Sequence, residues 1–291
     1  MIAYILLTLF LPTLPMMEPP HRESSIAFLK SVQLPSGAFS VKNHLVDKTA
    51  VPSIRATRTG IKAFMLYGSQ APNQDKILQF VKDCHSEKTG GFSDRPGIAP
   101  DPISTSVALM ILKELNQPVE PYLKPALAYM NENTKTFEEI RMVAPSFEQL
   151  DLKSPAAEAW GKIIDEARNP DGSYGKGPGM VRTTALRLVA RQRLRLPVPA
   201  KESILAIIRQ GQLEDGGFGS DQPGGSDLES CYRIVRLFSR LGSEPDKPAA
   251  VRAFIESCHH QSGGFGVKPG EAPSLHGTYY AAIVTSWLDG K

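Results

Sequence analysis

Charge of one sign is scarce in this chain. Thirty-three Lys and Arg stand against 30 Asp and Glu, a formal net charge of +3 over 291 residues, too little to mark a nucleic-acid binder by its electrostatic footprint. Cysteine is scarcer still. Cys84, Cys231 and Cys258 are too few, and odd in number, for a disulfide framework, so each needs its own explanation as core filler, reactive thiol or metal ligand. No run of 18 residues is apolar enough to span a membrane with assurance. There is also no Lys or Arg before Arg22. The apolar run Met1–Met17 is broken by Pro12 and Pro15, and it lacks the basic start and small-residue cleavage site of an export signal. Three expectations stand for it: a weak export signal, a packed or interfacial segment, or a mis-start with Met16 or Met17 as the true beginning. Localisation stays open, with the cytoplasm ahead of secretion.

Glycine and proline are in mild excess. The chain has 24 of each, about 16% together, against roughly 12% in average usage, so they read as punctuation of a folded chain. They fall in a repeated pattern: an amphipathic segment, a Gly-Gly-aromatic loop, Pro-Gly, then a second apolar segment. The copies are Pro35-Ser36-Gly37-Ala38-Phe39, Gly90-Gly91-Phe92 with Pro96-Gly97, Asp171-Gly172-Ser173-Tyr174 with Pro178-Gly179, Gly216-Gly217-Phe218 with Pro223-Gly224, and Gly263-Gly264-Phe265 with Pro269-Gly270. The aromatic residues are 53, 82, 44 and 47 positions apart. The long step fits two units, with a degenerate copy between about 118 and 150, so six units of about 47 residues cover nearly the whole chain.

The segments between loops have helical periodicity. Ile77, Leu78, Phe80 and Val81 form an apolar stripe, as do Ile204, Leu205, Ile207 and Ile208. Hydroxyl clusters such as Ser104-Thr105-Ser106, and Thr278, stand where the second helix of a unit begins and suit N-caps. Pro118, Pro197 and Pro245 separate one pair from the next. Alternating strand patterns are almost absent. The expected fold class is therefore all-α, six helical hairpins that either stack openly or close into a ring. The expected division is an N-terminal segment over 1–23 and one repeat domain over 24–291.

Repeat phase sorts the candidate site residues. Cys84 and Cys258 stand at the ends of equivalent first helices, which reads as a recurrent packing position. Cys231 lies 13 residues after Phe218, where Thr105 and Thr278 lie 13 after Phe92 and Phe265. Glu229 and His276 each lie 11 residues after their loop aromatic, so two adjacent inner helices would open with Glu-Ser-Cys-Tyr and His-Gly-Thr-Tyr. Two readings compete. Glu229, Cys231 and His276 fit a catalytic zinc site with an open fourth position. Alternatively, Glu229 favours the positive helix start, Cys231 is buried filler and His276 is an exposed cap. Arg187, Arg191 and Arg195 follow at helical steps and read as a solvated face.

The Gly-Gly-Phe loops with Pro-Gly, followed by Cys-Tyr or Thr-Tyr-Tyr helix starts, resemble the prenyltransferase and squalene-cyclase repeat over roughly residues 24–290. The likeness is greatest to the β subunits of protein prenyltransferases, especially the Rab geranylgeranyl type. That resemblance implies an (α/α)6 toroid around an apolar funnel, zinc held by Glu229 (in place of the family's Asp), Cys231 and His276, and an isoprenoid diphosphate as substrate. It implies Tyr232 at the diphosphate and Arg182 on the substrate-binding rim as catalytic residues. The acceptor would be a cysteine-bearing peptide or protein, whose thiolate the metal makes nucleophilic, and an α-subunit-like partner would complete the enzyme. One departure stands out. Where the family carries an Arg and a Lys, residues 219–228 hold two acids and no base, which repels a diphosphate unless Mg²⁺ or basic residues from elsewhere compensate.

Three functions follow as expectations. The first is zinc-dependent transfer of a geranylgeranyl-type isoprenoid to a thiol. The second is a non-catalytic toroid binding a lipid, peptide or partner protein in its cavity. The third is a terpenoid cyclase, whose Asp-x-Asp-Asp acid motif is only half matched by Asp227-Leu228-Glu229-Ser230.

Overall fold

The computed structural model describes residues 21–220 and 225–290, apart from the side chain of Pro178; the apolar run Met1–Met17 lies outside them. The described residues form α1 (Arg22–Ser31), α2 (Ile54–Leu66), α3 (Gln74–Asp83), α4 (Pro102–Glu114), α5 (Glu120–Asn133), α6 (Phe137–Gln149), α7 (Ala157–Asp165), α8 (Met180–Arg193), α9 (Lys201–Arg209), α10 (Leu228–Arg240), α11 (Pro248–Ser257) and α12 (Leu275–Leu288). Residue pairing outside helices is confined to isolated bridges, most of them at the loop aromatics.

The even-numbered helices pack in the order α2, α4, α6, α8, α10, α12 and back to α2. This closes the ring that periodicity left open: the fold is an all-α toroid. The odd-numbered helices lie outside, and the apolar core fills the space between the two rings. Ile77, Phe80 and Val81 supply it from α3, and Ile204, Leu205 and Ile208 from α9. Burying each such side chain contributes about 1.5–3 kcal/mol, which makes these short outer helices stable where isolated ones would not be.

The loops set the geometry. Phe39, Phe92, Tyr174, Phe218 and Phe265 are all buried, and each backbone N–H donates to a side chain one turn inside the following inner helix. The acceptors are Thr57 Oγ1 (3.0 Å), Thr105 Oγ1 (2.9 Å), Thr184 Oγ1 (2.9 Å), Cys231 Sγ (3.3 Å) and Thr278 Oγ1 (3.1 Å). The hydroxyls expected at the helix starts therefore do a different job. Thr105 and Thr278 are fourth helical residues, and the caps lie earlier: Asp101 accepts from the Ser104 N–H, and Ser274 from the Gly277 N–H. A threonine one turn in satisfies its own upstream carbonyl and still reaches the loop amide, which a cap cannot do.

Glycine is required where the next outer helix meets the loop. Gly216 has φ +89°, and a Cβ there would stand 2.5 Å from the Ala250 carbonyl oxygen on α11. At Gly263, φ +91°, the neighbour is the Ser24 carbonyl on α1, 2.6 Å away. The last loop thus packs on the first helix, and the ring closes by the contact that joins the other units. The degenerate third unit is the α5–α6 hairpin. It keeps its helices but replaces the loop with Thr134–Thr136, where Thr136 and Glu139 form a reciprocal capping box.

Replacing Thr105 by Val keeps the shape and leaves the buried Phe92 N–H without a partner. Chemical denaturation is expected to show a loss of about 1–3 kcal/mol.

Candidate functional site

All inner helices begin on the loop side, so equal distances from the Thr/Cys position correspond to equal depth in the ring. Two residues before it lie Arg55, Ile103, Glu138, Arg182, Glu229 and His276, which form the rim. One and two residues after it lie Arg58, Thr59, Val107, Arg141, Met142, Leu186, Tyr232, Arg233, Tyr279 and Tyr280. Five residues after it lie Lys62, Met110, Pro145, Val189, Arg236 and Ile283. Together with Glu148, Gln149, Arg193 and Trp287 further along, most of these line a central cavity of about 500 Å³.

One wall is aromatic. Tyr232 stacks on Tyr280 (4.8 Å between centroids) and on Trp287 (5.5 Å), and Tyr279 tilts against it at 5.7 Å. The remainder is basic. Arg236 lies over the Tyr232 ring at 4.7 Å and donates to its hydroxyl at 2.9 Å. Burial by itself would raise the Tyr232 phenol, but the guanidinium charges of Arg236 and Arg193 outweigh it and the group is lowered. The far end is crossed by ion pairs: Glu148 takes Arg193 at 3.2 Å and also Arg240. Burial opposes ionisation of Glu148, yet these two arginines hold its carboxyl below the usual range.

The three expected metal ligands are arranged otherwise than a zinc site needs. Glu229 bonds Arg233 and lies 3.2 Å from Arg182. Its carboxyl is lowered because those charges overcome the effect of burial. His276 is half-buried on the cavity wall; desolvation lowers its pKa, and the nearby Glu229 opposes this. Cys231 is not at the rim surface. It is 0% exposed, its sulfur accepts the Phe218 N–H, and burial raises the thiol's pKa. It occupies the slot that threonine fills in four other units. Among the described residues no group of three or more His, Cys, Asp or Glu side chains is placed to hold a metal ion. The donor set as folded does not fit zinc.

Of the expected catalytic pair, Tyr232 lines the central cavity and Arg182 an adjoining recess of about 460 Å³ that shares Arg141, Leu186 and Arg233 with it. Asp227, the first acid of the half-matched cyclase motif, is the α10 cap. It accepts from Ser230 N–H at 2.7 Å and from the Ser230 hydroxyl at 2.8 Å, so it is committed to the helix start rather than free as a proton donor.

The solvated arginine face on α8 is corrected. Arg191 is 8% exposed and pairs with Asp165 on α7. Arg187 lies over the Phe137 ring at 4.3 Å and donates to the Ile163 and Ile164 carbonyls. Only Arg195 is exposed, paired with Asp151. These arginines fasten α8 to α7 and to Phe137 of α6, and the partners named lie 23 to 50 residues away in sequence, beyond the reach of a helical-face argument. Sequence reasoning also missed Arg236, Arg58 and Lys62. The signal was available, because they share repeat phase with Val189, Tyr232 and Met110, but phase had been applied only to the helix starts.

All three thiols are buried, and burial pushes Cys84 and Cys258 up to about 12. A disulfide reagent at pH 8 is expected to modify none in the native chain and three after denaturation. Rapid native labelling of Cys231 would show that it leaves the Phe218 amide readily.

The comparisons with known proteins agree with this geometry. The prenyltransferase alpha-alpha toroid domain matches residues 60–147 and 122–289. The protein farnesyltransferase β subunit of Arabidopsis thaliana is 25% identical over 168 residues, 48% of this chain and 34% of that protein. The geranylgeranyl transferase type-1 β subunit of the same plant is 34% identical over 82 residues, 28% of this chain and 22% of that protein. The matched regions thus span 34% and 22% of those relatives. Among solved structures, Candida albicans protein geranylgeranyltransferase-I complexed with GGPP has a TM-score of 0.64 at 15% identity, covering 80% of this chain and 83% of that one. The type II terpene cyclase MstE from Scytonema has 0.64 at 12%, covering 92% and 96%. These structural likenesses show the fold alone. On the family match, which takes in most of its length, the chain belongs to the prenyltransferase alpha-alpha toroid domain family.

Proposed function

We propose that this toroid binds an isoprenoid phosphate or diphosphate in its central cavity. The observation that carries this reading is the lining: an aromatic wall of Tyr232, Tyr279, Tyr280 and Trp287 faces a basic one within about 500 Å³. A cavity of this size is typical of small-molecule sites. Branched apolar units gain from contact with aromatic faces, and guanidinium groups pair with phosphate oxygens. The residues bind and orient: Tyr232 and Trp287 stack the chain, while the wall cations take the charge. Family membership supports the ligand class.

Zinc-dependent transfer to a cysteine thiol, with an α-subunit-like partner, is the second reading. The nearness of Glu229 and His276 at the rim favours it. Bound there, a zinc ion would supply a thiolate nucleophile, but Cys231 would first have to leave the Phe218 amide, and Glu229 would have to leave Arg182 and Arg233. The folded arrangement supports binding over transfer.

Titration of the purified chain with farnesyl diphosphate is expected to quench tryptophan fluorescence saturably, with the response lost in Trp287→Phe while calorimetry still shows binding. Cys231→Thr, which restores the residue of the sibling units, is expected to leave both affinity and melting temperature unchanged. Stoichiometric zinc in the native chain, lost in Cys231→Thr, would favour the transfer reading. No saturable binding would refute the proposal.

A further inference from the structure

The cavity wall carries seven Lys and Arg side chains. Five have a carboxylate within 4 Å, including Arg58 on Glu114, Arg193 on Glu148 and Arg233 on Glu229. Lys62 and Arg236 have none among the described residues. Arg236 is only 7% exposed. Its one hydrogen-bonded partner is the neutral Tyr232 hydroxyl, and its Nε has no acceptor. A guanidinium taken from water with no carboxylate opposite is held at a substantial cost, which an anion entering the cavity would offset.

These two residues share a level. Each lies five positions after the loop-bonding residue of its helix, Thr57 in α2 and Cys231 in α10. Both helices flank α12, so Lys62 and Arg236 face the same segment of cavity from either side of Ile283. At 1.5 Å of rise per residue, this level lies about 10 Å along the helices from Glu229 and His276 at the rim. Beyond it lie the Glu148, Arg193 and Arg240 ion pairs, and Trp287 reaches back from that end to stack on Tyr232. Toward the rim the wall carries Val107, Met142, Leu186 and Tyr280 among the carboxylate-paired Arg58, Arg141 and Arg233.

We propose that Lys62 and Arg236 form an anion subsite midway down the cavity, which takes the phosphate-class head of the ligand. This places the compensating charge for the base-free 219–228 loop on the inner helices. It rests on the isoprenoid-binding reading for the identity of the chain, but not for the anion.

The test is calorimetry and thermal melting of the full chain with inorganic pyrophosphate, farnesyl diphosphate and farnesol. The variants are Lys62→Met, Arg236→Met, Arg182→Met and the surface control Arg195→Met. Pyrophosphate is expected to raise the melting temperature of the native chain but not of Lys62→Met or Arg236→Met. Farnesyl diphosphate is expected to weaken at least 10-fold in both, and farnesol to be unaffected. Arg195→Met should behave as the native chain. If Arg236→Met does not fold, Lys62→Met and the charge-keeping Arg236→Lys decide, the latter retaining most of the affinity. Unchanged farnesyl diphosphate binding in the cavity variants would overturn the subsite and leave the isoprenoid reading standing, as would loss confined to Arg182→Met, which places the head at the rim. Farnesyl diphosphate binding no tighter than pyrophosphate would sink the isoprenoid reading and leave the subsite. No pyrophosphate binding by the native chain would overturn the subsite outright.

Discussion

The bond from a loop aromatic's amide to the first turn of the next inner helix is the constraint on which this toroid depends. It ties five of the six inner helices to their loops, and it does so while the aromatic ring is fully buried, where an unpaired N–H is costly. With that tie repeated, the glycine of each loop meets the next outer helix, and the sixth unit meets the first. The same bond explains why a thiol that looks reactive by position is inert by environment. Cys231 fills a threonine's place, and a sulfur occupied by a backbone amide behind the cavity wall is a poor candidate to reach a metal at the rim.

The inner ring separates two tasks along its length. Its first turns hold loops, caps and rim ion pairs, and they use up most of the polar groups that might otherwise do chemistry: Asp227 caps, Glu229 neutralises two arginines, and Cys231 serves Phe218. Deeper positions carry the exposed chemistry of the cavity. There the charge is unbalanced, with Lys62 and Arg236 lacking carboxylates among the described residues while Glu148 is held by two arginines. An aromatic wall beside surplus positive charge suits a ligand that is apolar along most of its length and anionic at one end.

Much of the fold was legible because the repeat is written in glycine and aromatic residues whose backbone needs are strict. Gly216 and Gly263 tolerate no Cβ, so they mark the loops wherever the units occur, and the missing loop of the third unit could be placed by the doubled step alone. Closure of the ring was not legible in the periodicity, because it depends on Ser24 meeting Gly263 across nearly the whole chain, and only the family resemblance implied it. The site was read less well. Phase identified Glu229, Cys231 and His276 as exceptional, but exceptional position does not reveal hydrogen-bond commitments. The sulfur's tie to Phe218 follows the 13-residue spacing that Thr105 and Thr278 keep from their own loop aromatics, but spacing alone does not reveal the bond. Arg187 and Arg191 were misread for a related reason: arginines at helical spacing look like a wet face until Phe137, Tyr174 and Asp165 are seen to cover them.

Diffraction across the zinc absorption edge, from crystals of the full chain grown with zinc and farnesyl diphosphate, tests the central claim most directly. The account predicts ligand density in the cavity, the Cys231 sulfur still on the Phe218 amide, and no anomalous peak shared by Glu229, Cys231 and His276. A zinc peak bound by all three, with Cys231 turned away from Phe218, would contradict it.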